Sequence, residues 1–164
     1  IYGDQMDTLW GEFAPVPQDN LVVLRGGERL AVAGRALDVA YTPGHASHHV
    51  SYFDASSGVA WVGDACGART GSEPFVMVTT PPPDVDLELW DRTLDLILAW
   101  SPTTLFLTHF GPSEQPRAHI AEYRSRLQYF CEENGMPKTI IKNFKITLAG
   151  KKTGRIVWID RELL

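Results

Sequence analysis

Three separated stretches each place a residue of metal-ligand type at the end of an apolar, strand-like run. Thr42-Pro43-Gly44-His45 follows Tyr41, Gly63-Asp64-Ala65 follows Val59 to Val62, and Thr108-His109-Phe110-Gly111-Pro112 follows Leu105 to Leu107. Imidazole and carboxylate together suit borderline divalent metals such as zinc. Each residue alone has a plainer reading. His45 after Pro-Gly fits a hydrogen-bonded loop residue, Gly63-Asp64 fits a turn, and His109 fits an exposed or structural histidine. In combination they point further. All three end strands, and each has a glycine one or two positions away, where backbone and ligand can approach closely.

The elements that must carry these loops follow from hydrophobic periodicity. Arg29 to Ala33 and Ala36 to Tyr41 read as strands around a turn at Gly34-Arg35, after an apolar run Leu21 to Leu24 and a break at Gly26-Gly27. Val50 to Phe53 and Val59 to Val62 form a second pair, and Thr104 to Leu107 is another strand. Asp86 to Trp100 reads as a helix, with Leu87, Trp90, Leu94, Ile97 and Leu98 on one stripe and Pro102 beyond its end. Pro116 to Glu133 is a second helix, with Ile120, Tyr123, Leu127 and Phe130 inward and His119 on its solvated side. The Pro- and Thr-rich stretch 71–84 is a loop, and its part from Phe75 to Asp84 fits a pocket wall and a plain connection equally well.

Composition narrows the class. A chain of 164 residues with 44% hydrophobic and 21% charged residues can bury one core. The net charge of −5 argues against a nucleic-acid partner. No apolar run approaches the roughly 20 residues that span a bilayer, and no secretory leader is visible, so a cytoplasmic location and no membrane partner are expected. Cys66 and Cys131 make no disulfide framework and read as small buried apolar residues. All five lysines follow residue 130; residues 1–129 carry a net charge of −8 and residues 130–164 one of +3. That shift suggests a domain over 1–129 and a Lys-rich appendage over 130–164, with alternating strands at 144–148 and 155–159.

Residues 1–129 resemble the metallo-β-lactamase superfamily of hydrolases. The resemblance is carried by YTPGHASHHVSYF (41–53), by Gly63-Asp64-Ala65 and by LTHFGP (107–112), with 19 residues from His45 to Asp64 and 45 from Asp64 to His109. It implies an α/β fold of αββα type, with a mostly antiparallel sheet and flanking helices. It also implies two divalent metal ions, zinc by default with iron or manganese as alternatives. His45 would bind one metal, His109 the other, and Asp64 would bridge both and serve catalysis. His49 would support the ligands by hydrogen bonding. The implied reaction is attack of a metal-held hydroxide on a small-molecule ester, thioester, lactone or amide. His-Phe-Gly-Pro (109–112) resembles glyoxalase-II-like relatives and favours an ester or thioester. The family's His-x-His-x-Asp-His run is absent from the chain, which reads as the C-terminal half of such a sandwich. Such a half is expected to be inactive by itself, and to pair with a missing N-terminal half or form a homodimer. The competing reading is a non-catalytic half-domain that acts as a binding or self-association module.

Overall fold

The computed structural model describes residues 3–12, 14–69, 76–79 and 85–133. Leu24–Ile141 is one compact unit, and the residues before Leu24 belong to another. In the latter, helix α1 (Met6–Trp10) buries none of its residues, and the run from Leu21 to Val23 is exposed and forms no strand.

Among the described residues the larger unit carries a six-stranded sheet: β1 (Arg29–Val32), β2 (Arg35–Tyr41), β3 (Val50–Asp54), β4 (Val59–Gly63), β7 (Thr104–Leu107) and β8 (Pro112–Ser113). They lie in the order β1-β2-β3-β4-β7-β8. Every pairing is antiparallel except β4 with β7. A parallel pair needs a crossover, and the chain between β4 and β7 supplies it with helix α2 (Leu87–Ala99). A two-stranded ribbon of β5 (Ala68–Arg69) and β6 (Val76–Met77) precedes that helix. Its second strand, β6, falls inside the stretch 71–84 that was expected to be a loop; two-residue strands leave no periodic signal. The β1–β2 turn falls at Ala33-Gly34, one residue before its expected place. Val32 pairs with Arg35, and both turn residues have positive φ, 49° and 78°. A two-residue hairpin loop of this kind matches the strand twist.

Alternation sets the two faces of the sheet. Phe53, Ala60, Val62, Leu105 and Leu107 turn inward and are buried with Trp90, Leu94 and Ile97 of α2. Ile120, Tyr123, Leu127 and Cys131 of helix α3 (Pro116–Glu133) complete that core. On the opposite face Tyr52, Trp61 and Phe106 stand in register across β3, β4 and β7, and Phe106 is 44% exposed.

Asp86 caps α2 by accepting from the Leu89 N–H at 3.0 Å. Proline at the first position of α3 needs no N–H partner. His119 is buried on α3, contrary to the solvated position expected of it. It lies four residues before Tyr123, so the stripe runs 119, 123, 127, 131; the same register ends inward at Cys131 and leaves Phe130 38% exposed. Both cysteines are buried and free, as expected. The expected appendage lies, from residue 134 onward, outside the described residues, as do its two strands.

Candidate metal centre

The three strand-end residues converge. His45 Nε2 lies 3.5 Å from Asp64 Oδ2, and His109 Nε2 lies 3.4 Å from Asp64 Oδ1. One carboxylate thus faces two imidazoles, a different oxygen toward each. Ligands held tetrahedrally at about 2.0–2.2 Å from a zinc ion are separated by about 3.3–3.6 Å along each edge of the tetrahedron. Both contacts match such an edge. Among the described residues no three His, Cys, Asp or Glu side chains surround one point. The arrangement is two His–carboxylate pairs sharing Asp64.

Donor chemistry agrees with a cation. Asp64 Oδ1 is buried and has no hydrogen-bond partner, an expensive state for a carboxylate oxygen unless a donor or a cation meets it. His45 Nδ1 lies 2.9 Å from the Thr79 carbonyl. A carbonyl only accepts, so Nδ1 carries a proton and Nε2 is the nitrogen that faces Asp64. In the neutral ring Nε2 would offer its lone pair there, as a metal ion shared with the carboxylate requires. The residues present therefore fit the divalent ions that the resemblance implies.

Local structure explains how three loops reach one spot. At Gly44 a side chain would meet Trp90 Cα at 2.4 Å, so the loop before His45 lies against α2. Thr93 donates to the Pro43 carbonyl at 2.6 Å, and the Asp86 N–H donates to the Gly44 carbonyl at 2.9 Å. Trp90, fully buried, donates from Nε1 to the Ala65 carbonyl at 2.6 Å and stands edge-on to His45 with ring centres 5.7 Å apart. Helix α2 thereby grips the His45 loop and the Asp64 loop together. The β4–β7 register shifts between Trp61 and Gly63, and bulges of this kind re-aim the residues beside them. Asp64 leaves the sheet at that shift. The Thr108 N–H donates to the Gly63 carbonyl at 3.3 Å, which ties the His109 strand end to the same point. His109 is the most open of the three, with half its side chain exposed.

His49 lies beside the centre. Its Nδ1 is 2.8 Å from Thr42 Oγ1, which also meets Ser51 Oγ at 2.8 Å. Its Nε2 sits where a Cβ on Gly63 would be, and its ring is edge-on to His45 with centres 6.0 Å apart. Burial pushes its pKa down, and the neighbouring His45 adds to that. His49 supports the loops by packing, while the hydrogen bond of its ring goes to Thr42. Burial raises the Cys66 thiol far above its usual range, which keeps it protonated. The buried His119 ring donates from Nε2 to the Cys66 carbonyl at 2.9 Å, and burial lowers its pKa.

Sequence reasoning missed Thr79, Trp90 and Thr93 as parts of the site. Trp90 was legible as core, and Thr93 sits on the same buried stripe, but neither pattern names a polar partner. Thr79 lies in the 75–84 stretch that fitted a pocket wall, but nothing singled it out there, because its partners are 34 and 15 residues away.

The chain thus combines a mixed sheet, helices packed on one of its faces and a His–Asp–His cluster at strand ends. The metallo-beta-lactamase superfamily profile matches residues 2–109, and the chain belongs to that superfamily. It is 27% identical over 111 residues to the metallo-beta-lactamase fold-containing protein ST1585 of Sulfurisphaera tokodaii, covering 68% of this chain and 41% of that one. The crystal structure of ST1585, an archaeal superfamily protein from Sulfolobus tokodaii, matches 92% of this chain and 52% of its own, with a TM-score of 0.63 and 23% identity. The family protein TTHA1429 of Thermus thermophilus matches with a TM-score of 0.53 at 30% identity, over 67% of this chain and 36% of its own. The chain spans about half or less of the length of these relatives.

Proposed function

We propose that this chain is part of a metal-dependent hydrolase that cleaves a small-molecule ester, thioester, lactone or amide. The observation that carries the reading is the Asp64 carboxylate set between His45 and His109 at 3.5 and 3.4 Å. Two divalent ions, zinc by default, would supply a hydroxide nucleophile at neutral pH and polarise the substrate carbonyl. His45 would hold one ion through Nε2 and His109 the other. Asp64 would bridge them, its negative charge kept by both cations. The half-exposed His109 marks the side open to substrate. Each ion would receive one imidazole and one shared carboxylate oxygen from this chain, short of the three protein ligands of a catalytic zinc site. The isolated chain should therefore bind metal weakly and hydrolyse poorly.

A second reading is favoured by the open face of the sheet. Tyr52, Trp61 and Phe106 form a row of partly exposed aromatic side chains, and such patches mark interfaces. In that reading the chain is a non-catalytic half-domain that associates with itself or with a separate N-terminal half. Zinc titration followed by sedimentation separates the two. Weak zinc binding lost in His45→Ala, Asp64→Asn and His109→Ala supports the hydrolase reading. Binding unchanged in all three sinks it, and dimers that form without metal and dissociate on Trp61→Glu favour the second.

A further inference from the structure

We propose that Thr79 is a positioning residue that straps the His45 and Asp64 loops together and locks His45 in the tautomer that presents Nε2 to the centre. The proposal rests on the metal-site reading above. Thr79 touches both ligand loops through different atoms. Its backbone carbonyl accepts from His45 Nδ1 at 2.9 Å, and its hydroxyl donates to the Asp64 backbone carbonyl at 3.1 Å. The first bond fixes which imidazole nitrogen carries the proton, and a histidine's ligating nitrogen is set by the partner of the other. The second bond fixes where that carbonyl stands, because it ties residue 79 to the turn that carries Asp64. The two ligands thus share one reference point, although 19 residues separate them in the chain.

The surroundings leave Thr79 little room to drift. Met77, two residues earlier, pairs with Ala68 in the β5–β6 ribbon. Tyr123 of α3, fully buried, packs on Gly67 just before that ribbon. The Thr79 hydroxyl is then what links this wall to Asp64.

The test is the His45 tautomer, read by long-range proton–nitrogen NMR on the full labelled chain at neutral pH without metal. Wild type and Thr79→Ser should show the Nδ1-protonated form in excess. Thr79→Val, which keeps the shape and deletes the hydroxyl, should free the Thr79 carbonyl from its place at His45 Nδ1 and shift the tautomer ratio toward Nε2–H, by at most about fivefold, the worth of one ordinary hydrogen bond. Thr79→Ala makes the same deletion without added branching and must agree, so a poorly folded valine variant does not end the test. An unchanged ratio in the folded alanine variant overturns the proposal, as does a wild type protonated at Nε2 or a serine variant that fails to restore the wild-type ratio. The metal reading fails separately, through zinc binding indifferent to His45→Ala, and that result leaves the tautomer measurement standing.

Discussion

Gly44→Ala is the sharpest test of how helix α2 holds the His45 loop. Two costs add at this position. The φ of +133° is one that side chains rarely adopt, and such backbone strain costs about 1–3 kcal/mol. The new Cβ would also meet Trp90 Cα at 2.4 Å and Cβ at 2.5 Å. The nearest atom is helix backbone, so loop and helix must separate by about 1 Å, and forced overpacking costs about 1–3 kcal/mol more. The sum is about 4 kcal/mol. Gly34→Ala is the control, with φ of +78° and nothing within 4 Å of the added carbon. It should show strain alone, about 1–2 kcal/mol. With a urea dependence of about 2 kcal/mol per molar, the midpoint should fall by about 2 M for Gly44→Ala and by less than about 1 M for Gly34→Ala. Tryptophan fluorescence reports both transitions. A Gly44→Ala midpoint no lower than that of Gly34→Ala would refute the packing argument, and with it the claim that α2 sets the His45 loop.

Two further predictions concern pH. Burial lowers the His119 pKa below 6.5, so the fold favours the neutral ring; stability is full above the unfolded value and should fall as pH drops below it. His119→Gln keeps a donor for the Cys66 carbonyl and should flatten that fall between pH 7 and 5 in urea titrations, leaving a residual slope from His49, which is shifted the same way. An unchanged slope would count against the buried neutral His119. Asp54 shifts in the same direction for a different reason and at lower pH. The Ser56 hydroxyl first, and then Ser57 and the backbone N–H groups, hold its carboxyl down to about 2. Its contribution is present above pH 3.8 and lost as pH falls through about 2. Asp54→Asn should therefore be less stable than wild type at pH 6 and converge with it near pH 2 in circular-dichroism melts.

Much of this protein was legible in its residues because the signals are local. The 3.6-residue stripe of Leu87, Trp90, Leu94 and Ile97 placed α2 within a residue of each end. Alternation and glycine breaks placed β2, β3, β4 and β7. Strand-end context singled out His45, Asp64 and His109, and the fold brings those three within reach of one another. Failures came where local pattern is weak. His119 looked polar and therefore exposed, although its four-residue spacing from Tyr123 put it on the buried stripe. The β5–β6 ribbon is too short for any period to show.

Sequence alone determined the types of the three residues, their strand-end setting and the superfamily, because residue identity and short-range periodicity carry that information. Tertiary structure decided which carboxylate oxygen faces which imidazole, that His45 Nδ1 faces the Thr79 carbonyl, and that Thr79, Trp90 and Thr93 fasten the loops. Those facts depend on contacts spanning 15 to 50 residues. No local pattern encodes such contacts; they exist once the β4–β7 crossover has laid α2 beneath the ligand loops.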